Sequence, residues 1–215
     1  RARNTARVDG MDQNRDKNYR WKDGDISTIS GMKYRIEDDF DFADAEYNEG
    51  YGPDCDRSVT HRRSVVFFKK VPAPLSPFFA VIDRFYAEKN KEHVYDLLWH
   101  FDGKTAGLGL RSVFTPVLTL FHSTAERDCT LVMGQEEPEW QGWLADSAIQ
   151  GDYRPAPTLV HSCRGGSLRV VTLIYPCAKN VCPVIAVEAG GGIDDTDIRI
   201  RHGGGELALK EDNYR

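Results

Sequence analysis

The stretch 61–102, HRRSVVFFKKVPAPLSPFFAVIDRFYAEKNKEHVYDLLWHFD, decides the fold class. Together with Val59 and Thr60 before it, it reads as three strands in a row, expected at 59–68, 78–86 and 93–101. β-Branched and aromatic residues crowd each run, and Pro, Asn, Lys and Gly bound them, which suits a pleated sheet rather than a helix. The first run alternates polar and apolar up to Ser64 and then turns wholly apolar. Outward from this centre the same unit recurs. Short strands are expected at 5–8, 26–36, 109–114, 117–122, 129–133, 140–144, 158–162, 168–175, 184–188, 197–202 and 206–210. The acidic and aromatic stretch 37–55 reads as a long loop or as a strand pair with an irregular connection. A single helical turn is expected at 146–150. Gly190-Gly191-Gly192 and Gly203-Gly204-Gly205 fall between strands as turns; with no GK[ST] and no helix behind them, neither is a phosphate loop. So many short strands with almost no helix predict one all-β domain over 1–215, an antiparallel supersandwich of two large sheets.

Charged residues make up 28% of the chain and the formal net charge is −5. That balance argues against a general nucleic-acid binder, which carries a basic face, but a local Arg cluster still allows an anionic ligand. No apolar run approaches the length of a membrane span. The chain begins at Arg1 and not at Met, so its start is read as a cut one, and the lack of a visible leader says nothing of compartment. Five cysteines form no CxxC pair, and no His stands at a zinc-finger spacing from them. Cys177 and Cys182 flank a plausible hairpin turn and are either a disulfide or two half-buried thiols.

His61, Asp83 and His100 fall one per strand in the three central strands. Either the three converge as metal ligands, or His61 and Asp83 serve as hydrogen-bonded partners of Arg62, Arg63 and Arg84, the more ordinary arrangement. Asp38-Asp39 and Asp194-Asp195 read as solvated loop charges. Trp21, Trp140 and Trp143 are either core residues or platforms on which sugar rings stack. Spacing alone assembles no complete active site.

Several local patterns, in order, resemble the C-terminal β-domain of the heparinase II/III-like polysaccharide lyases. Residues 3–13, RNTARVDGMDQ, resemble that family's HNT-x-VDG-x-x-Q. His61-Arg62-Arg63, then Val81-Ile82-Asp83-Arg84, then His93 and Trp99-His100-Phe101 resemble its central run. Gly142-Trp143, Pro155-Ala156-Pro157 and Thr172 through Pro176 resemble its late one. The resemblance spans roughly 1–176. It implies a piece of a two-part enzyme, an (α/α) toroid followed by a β-sandwich, that cleaves uronate-containing polysaccharide by β-elimination. Such chemistry needs a base for the C5 proton, neutralisation of the carboxylate and an acid for the leaving oxygen. It further implies an acidic polysaccharide and the protein's own N-terminal toroid as partners, and a periplasmic or secreted setting. Arg3, Asn4 and Gln13 become candidate substrate-binding residues, with the catalytic residues unassigned. Where several members carry a metal-ligating His, this chain has Arg3, a permanent cation that cannot ligate, so no metal or cofactor is expected. By itself the chain is expected to lack lyase activity; the alternative is a stand-alone carbohydrate-binding or assembly module.

Overall fold

The computed structural model describes residues 4–14, 32–109, 112–123, 128–145, 151–177 and 182–215. The strands, in chain order, are β1 Ala6–Val8, β2 Lys33–Ile36, β3 Phe40–Tyr47, β4 Val59–Phe68, β5 Phe78–Ala87, β6 His93–His100, β7 Gly107–Leu108, β8 Ser112–Phe114 and β9 Leu118–His122. They continue as β10 Cys129–Val132, β11 Trp143–Ala145, β12 Tyr153–Pro155, β13 Thr158–Gly165, β14 Leu168–Pro176, β15 Val184–Gly191, β16 Thr196–His202 and β17 Gly205–Lys210. One 3-10 turn, Glu211–Asn213, follows the last strand. No helix among the described residues is long and apolar enough to cross a membrane.

The fold is all-β and antiparallel, as expected. An eight-stranded sheet runs in the order β2-β3-β4-β5-β14-β9-β8-β7, and a four-stranded sheet β1-β6-β13-β10 packs on one of its faces. A three-stranded sheet, β15-β16-β17, packs on the other face, and β11-β12 form a small separate ribbon. The two large sheets make the expected sandwich; the three-stranded sheet adds a third layer.

Strand β5 shows why the central sequence carries consecutive apolar residues. Successive side chains point to opposite faces of a sheet. Phe78, Ala80 and Ile82 meet Val187, Ile198 and Ile200 of the three-stranded sheet. Phe85 meets Tyr95 and Leu97 of the four-stranded sheet, and Val81 meets Trp99 and Leu159. A strand covered on both faces has no need of polar alternates. Burying each Phe or Ile in this way stabilises by roughly 1.5–3 kcal/mol.

Asp83 and Arg84, neighbours in β5, are both fully buried and point into different layers. Facing the four-stranded sheet, Asp83 accepts from Arg63 Nε at 2.6 Å and lies 2.7 Å from His61 Nε2. The His61 ring stacks on Phe85 at 4.7 Å, and Phe85 stacks on Tyr95 at 4.3 Å. Facing the three-stranded sheet, Arg84 pairs with the carboxylate of Glu211, which the 3-10 turn delivers. It also donates to Ser64 Oγ at 3.0 Å, Thr196 Oγ1 at 3.1 Å and the Ile193 carbonyl at 2.7 Å. Ser64 in turn donates to Asp44 at 2.7 Å, and Arg62 grips the same carboxylate through two nitrogens.

The structure settles or revises several local expectations. The stretch 37–55 holds a single strand rather than a pair: β3 pairs along β4, burying Phe40 and Phe42 while Asp44 meets Arg62, and turns follow Tyr47. Within 26–36 the strand covers Lys33–Ile36, residues 15–31 lying outside the described ones. The strand expected at 140–144 begins only at Trp143, because Gly142 sits at φ +80°. Any Cβ there would come within 2.7 Å of the Val132–Met133 backbone, so glycine is required. All five cysteines are free thiols, Cys177 and Cys182 included. The helical turn expected at 146–150 and Trp21 fall outside the described residues.

Candidate functional site

His61, Asp83 and His100 do not converge. His61 and Asp83 face the interior of the sandwich from β4 and β5. On β6 the inward set is Tyr95, Leu97 and Trp99, so the even-numbered His100 points away from it. The metal reading of this trio fails, and the arginine-centred reading holds for Asp83, which Arg63 and His61 share. Burial pushes the Asp83 carboxyl up, but the Arg63 guanidinium and the His61 hydrogen bond outweigh it, so its pKa lies at about 2.

His100 belongs to a different cluster, at the end of β6. Asn4 Oδ1 accepts from the His100 backbone N–H at 2.7 Å and lies 3.2 Å from His100 Nδ1. Gln141, almost fully buried, brings its amide nitrogen to 3.5 Å from His100 Nε2. Both contacts suit an imidazole protonated at Nδ1. The Asp9-Gly10 turn fixes this end of the chain: Asp9 bonds His93 Nδ1 at 2.7 Å and caps the Val94 N–H at 2.8 Å. The half-buried His100 lines a cleft of about 250 Å³ with Asp102, Lys104 and Pro116. A second cleft, of about 530 Å³, lies between Gly107, Phe114 and Thr119. Thr115 and Pro116 line both, so the two form one groove.

Beside the groove stands an aromatic platform. Trp140, 47% exposed, stacks on Trp143 at 5.2 Å between ring centroids and 14° between planes. Tyr153 of β12 meets Trp140 edge-on at 4.9 Å. The segment 135–141 is pinned by reciprocal backbone bonds between Gln135 and Gln141, and Trp143 Nε1 donates to the Gln135 carbonyl at 2.9 Å. The buried Arg7 of β1 holds Glu139 in the same segment at 3.1 Å. Arg154, next to Tyr153, pairs with Asp102 at the groove. Gln141 therefore joins the platform to the His100 cluster: it touches the imidazole and directly follows Trp140.

Of the three residues expected to bind substrate, the structure places Asn4 in this cluster. Gln13 pairs through its backbone with Tyr51 instead, and Arg3 lies outside the described residues. Sequence reasoning missed Gln141, Tyr153 and Arg154, because the contacts that gather them span different sheets; Trp140 and the motif Gly142-Trp143 were the nearby signals. Among the described residues one group has the make-up of a metal site, His122, Cys129 and His161, whose ligand atoms all lie within 4.8 Å of one another.

No protein-family model matches the chain, and no curated protein does. Solved structures do match. One is of a heparinase III gene product, with a TM-score of 0.59 and 15% identity, covering 83% of this chain and 27% of that one. The fold is shared with heparinase III. A second structure of that gene product, with methylated lysines, gives a TM-score of 0.61 at 14% identity, covering 83% of this chain and 26% of the other. The chain thus spans about a quarter of the heparinase III chains that it matches. A heparinase-like fold is what the motif resemblance implied.

Proposed function

We propose that the chain is the β-sandwich part of a heparinase II/III-like lyase that cleaves uronate-containing polysaccharide by β-elimination. In this reading it braces the catalytic toroid and forms one wall of the substrate cleft, in a periplasmic or secreted protein. The observation that carries the reading is the heparinase III fold spread over 83% of this chain but only about a quarter of the matched chains. The remaining three quarters of such a chain leave room for a catalytic part.

The groove beside His100 suits a wall of that kind. It offers an imidazole fixed by Asn4 and Gln141, and the Lys104 ammonium for an acidic sugar. Arg3, Asn4 and Gln13 are proposed as further contacts to the polysaccharide, with no metal or cofactor taking part. β-Elimination also needs a base placed at C5 and a donor that neutralises the carboxylate. One fixed imidazole does not supply that set, so the lyase reaction is assigned to the two parts together. The test is release of unsaturated uronate, expected from the chain joined to its toroid and not from the chain alone.

A second reading, a carbohydrate-binding module, rests on the half-exposed Trp140 platform. A sugar ring packs on such a face as a second aromatic ring would, worth about 0.5–1.5 kcal/mol. Trp140→Ala is expected to weaken binding of the isolated chain to an acidic polysaccharide about 2- to 10-fold in an affinity titration, with unchanged melting temperature. Unchanged affinity would remove this reading.

A further inference from the structure

The interior of the sandwich is not uniformly apolar. A polar belt made of His61, Asp83, His122, His161 and Thr172 divides its core into two apolar clusters, one around Tyr95 and Leu97 and one around Trp99 and Leu159. One end of this belt has the make-up of a metal centre. His161 on β13 and Cys129 on β10 are directly opposite in register, and His122 reaches them from β9 across the interface between the sheets. The two imidazoles lie 4.2 Å apart, centroid to centroid.

We propose that His122, Cys129 and His161 bind a zinc ion that fastens the eight-stranded sheet to the four-stranded one. Two imidazoles and a thiolate are a borderline-soft donor set that zinc accepts. At zinc–ligand distances of about 2.0–2.3 Å, tetrahedral ligand atoms stand roughly 3.3–3.7 Å apart. The candidate ligand atoms lie within 4.8 Å of one another, so binding draws them inward by about 1 Å.

The surroundings of the site point to a ligand independently of the cluster. His122 is almost fully buried, and its Nε2 has no hydrogen-bond partner among the described residues. A buried polar nitrogen left so is costly, and a metal ion satisfies it. His122 Nδ1 meanwhile lies 3.2 Å from Thr172 Oγ1, which orients the ring with Nε2 toward the cluster. His161 is oriented likewise, its Nε2 lying 3.5 Å from Cys163 Sγ. Such outer contacts are typical of metal-ligating histidines. Cys129 alone of the three is only half-buried, and it sits on β10, the edge strand of its sheet, which gives the ion a way in. On binding, the Cys129 thiol loses its proton to solvent and the thiolate ligates; no oxidant or reductant is needed. The site is separate from Arg3, and it departs from the expectation that the chain holds no metal.

The test is titration of the chelator-treated chain with cobalt(II), whose thiolate complexes absorb in the near ultraviolet. One equivalent is expected to produce a sulfur-to-cobalt band with visible bands of tetrahedral intensity, and zinc is expected to displace it and raise the melting temperature. Cys129→Ser should abolish the near-ultraviolet band. Thr172→Val, nearly the same shape and therefore tolerated by the fold, should weaken binding by about 10- to 100-fold. No band at equimolar cobalt, or a band that survives in Cys129→Ser and so belongs to another thiol, would overturn the proposal.

Discussion

Arg84→Met is expected to cost about 3–5 kcal/mol of unfolding free energy, because it leaves the Glu211 carboxylate buried without the charge it was folded against. Arg84 and Glu211 are both essentially inaccessible, and Arg84 ties together β4, β16, the segment before it and the 3-10 turn. Arg215, bonded to Glu211 Oε1 at 3.1 Å, is itself partly exposed and replaces little of that contact. Urea denaturation measures the loss. The double variant Arg84→Met, Glu211→Leu should recover most of it, because a buried ion pair replaced whole by apolar groups is often close to neutral. A single substitution costing under about 1 kcal/mol would contradict the role given to this pair.

The second large effect depends on acid. Asp83 titrates at about 2 in the folded chain, against roughly 3.9 for an unperturbed aspartate. Its folded-state pKa is depressed, so its contribution is fully present above about pH 4 and is lost as the pH falls towards 2. The size of that contribution is about 2–3 kcal/mol. Stability measured against pH should therefore drop across this window, and Asp83→Asn should narrow its deficit relative to the parent over the same window. If the deficit of Asp83→Asn stays constant from pH 6 to pH 2, Asp83 is not the titrating group.

Both effects start from neighbouring residues of one strand, and this shows what could be read from the sequence. The all-β class was legible because β-branched and aromatic runs such as Val65–Phe68 and Phe78–Tyr86 recur between turn residues. That β5 is buried on both faces was implicit in the consecutive apolar residues Phe78 to Ile82, with Phe85 beyond Asp83-Arg84. What the stretch could not say was which layer each face meets, so Asp83 was read as a partner of Arg62, Arg63 or Arg84 alike, although Arg63 shares its layer and Arg84 serves the other one. Arg84 finds Glu211 127 positions away, a contact set by how the sheets stack and not by any local pattern. Strand β3 was left open because its acidic residues resemble a loop; its alternation of Phe40, Phe42 and Asp44 inward becomes clear only once it lies against β4.

The same reasoning covers the candidate site. Asn4 was singled out by the RNT motif, and the structure seats it on His100, which the sequence had grouped with His61 and Asp83 instead. Period-two geometry made that grouping uncertain, since the last residue of β6 points away from the interior. The interlayer trio escaped notice because Cys129 and His161 are 32 residues apart in sequence yet opposite in register, with His122 arriving from a third strand.

The measurement that tests the functional account most directly is an assay for unsaturated uronate on acidic polysaccharides, run with the protein isolated from its native source and with the 215-residue chain alone. The account predicts product from a native protein much larger than 24.3 kDa and none from the chain by itself. Product from the isolated chain, or a native protein of about 24.3 kDa that binds polysaccharide without cleaving it, would contradict it.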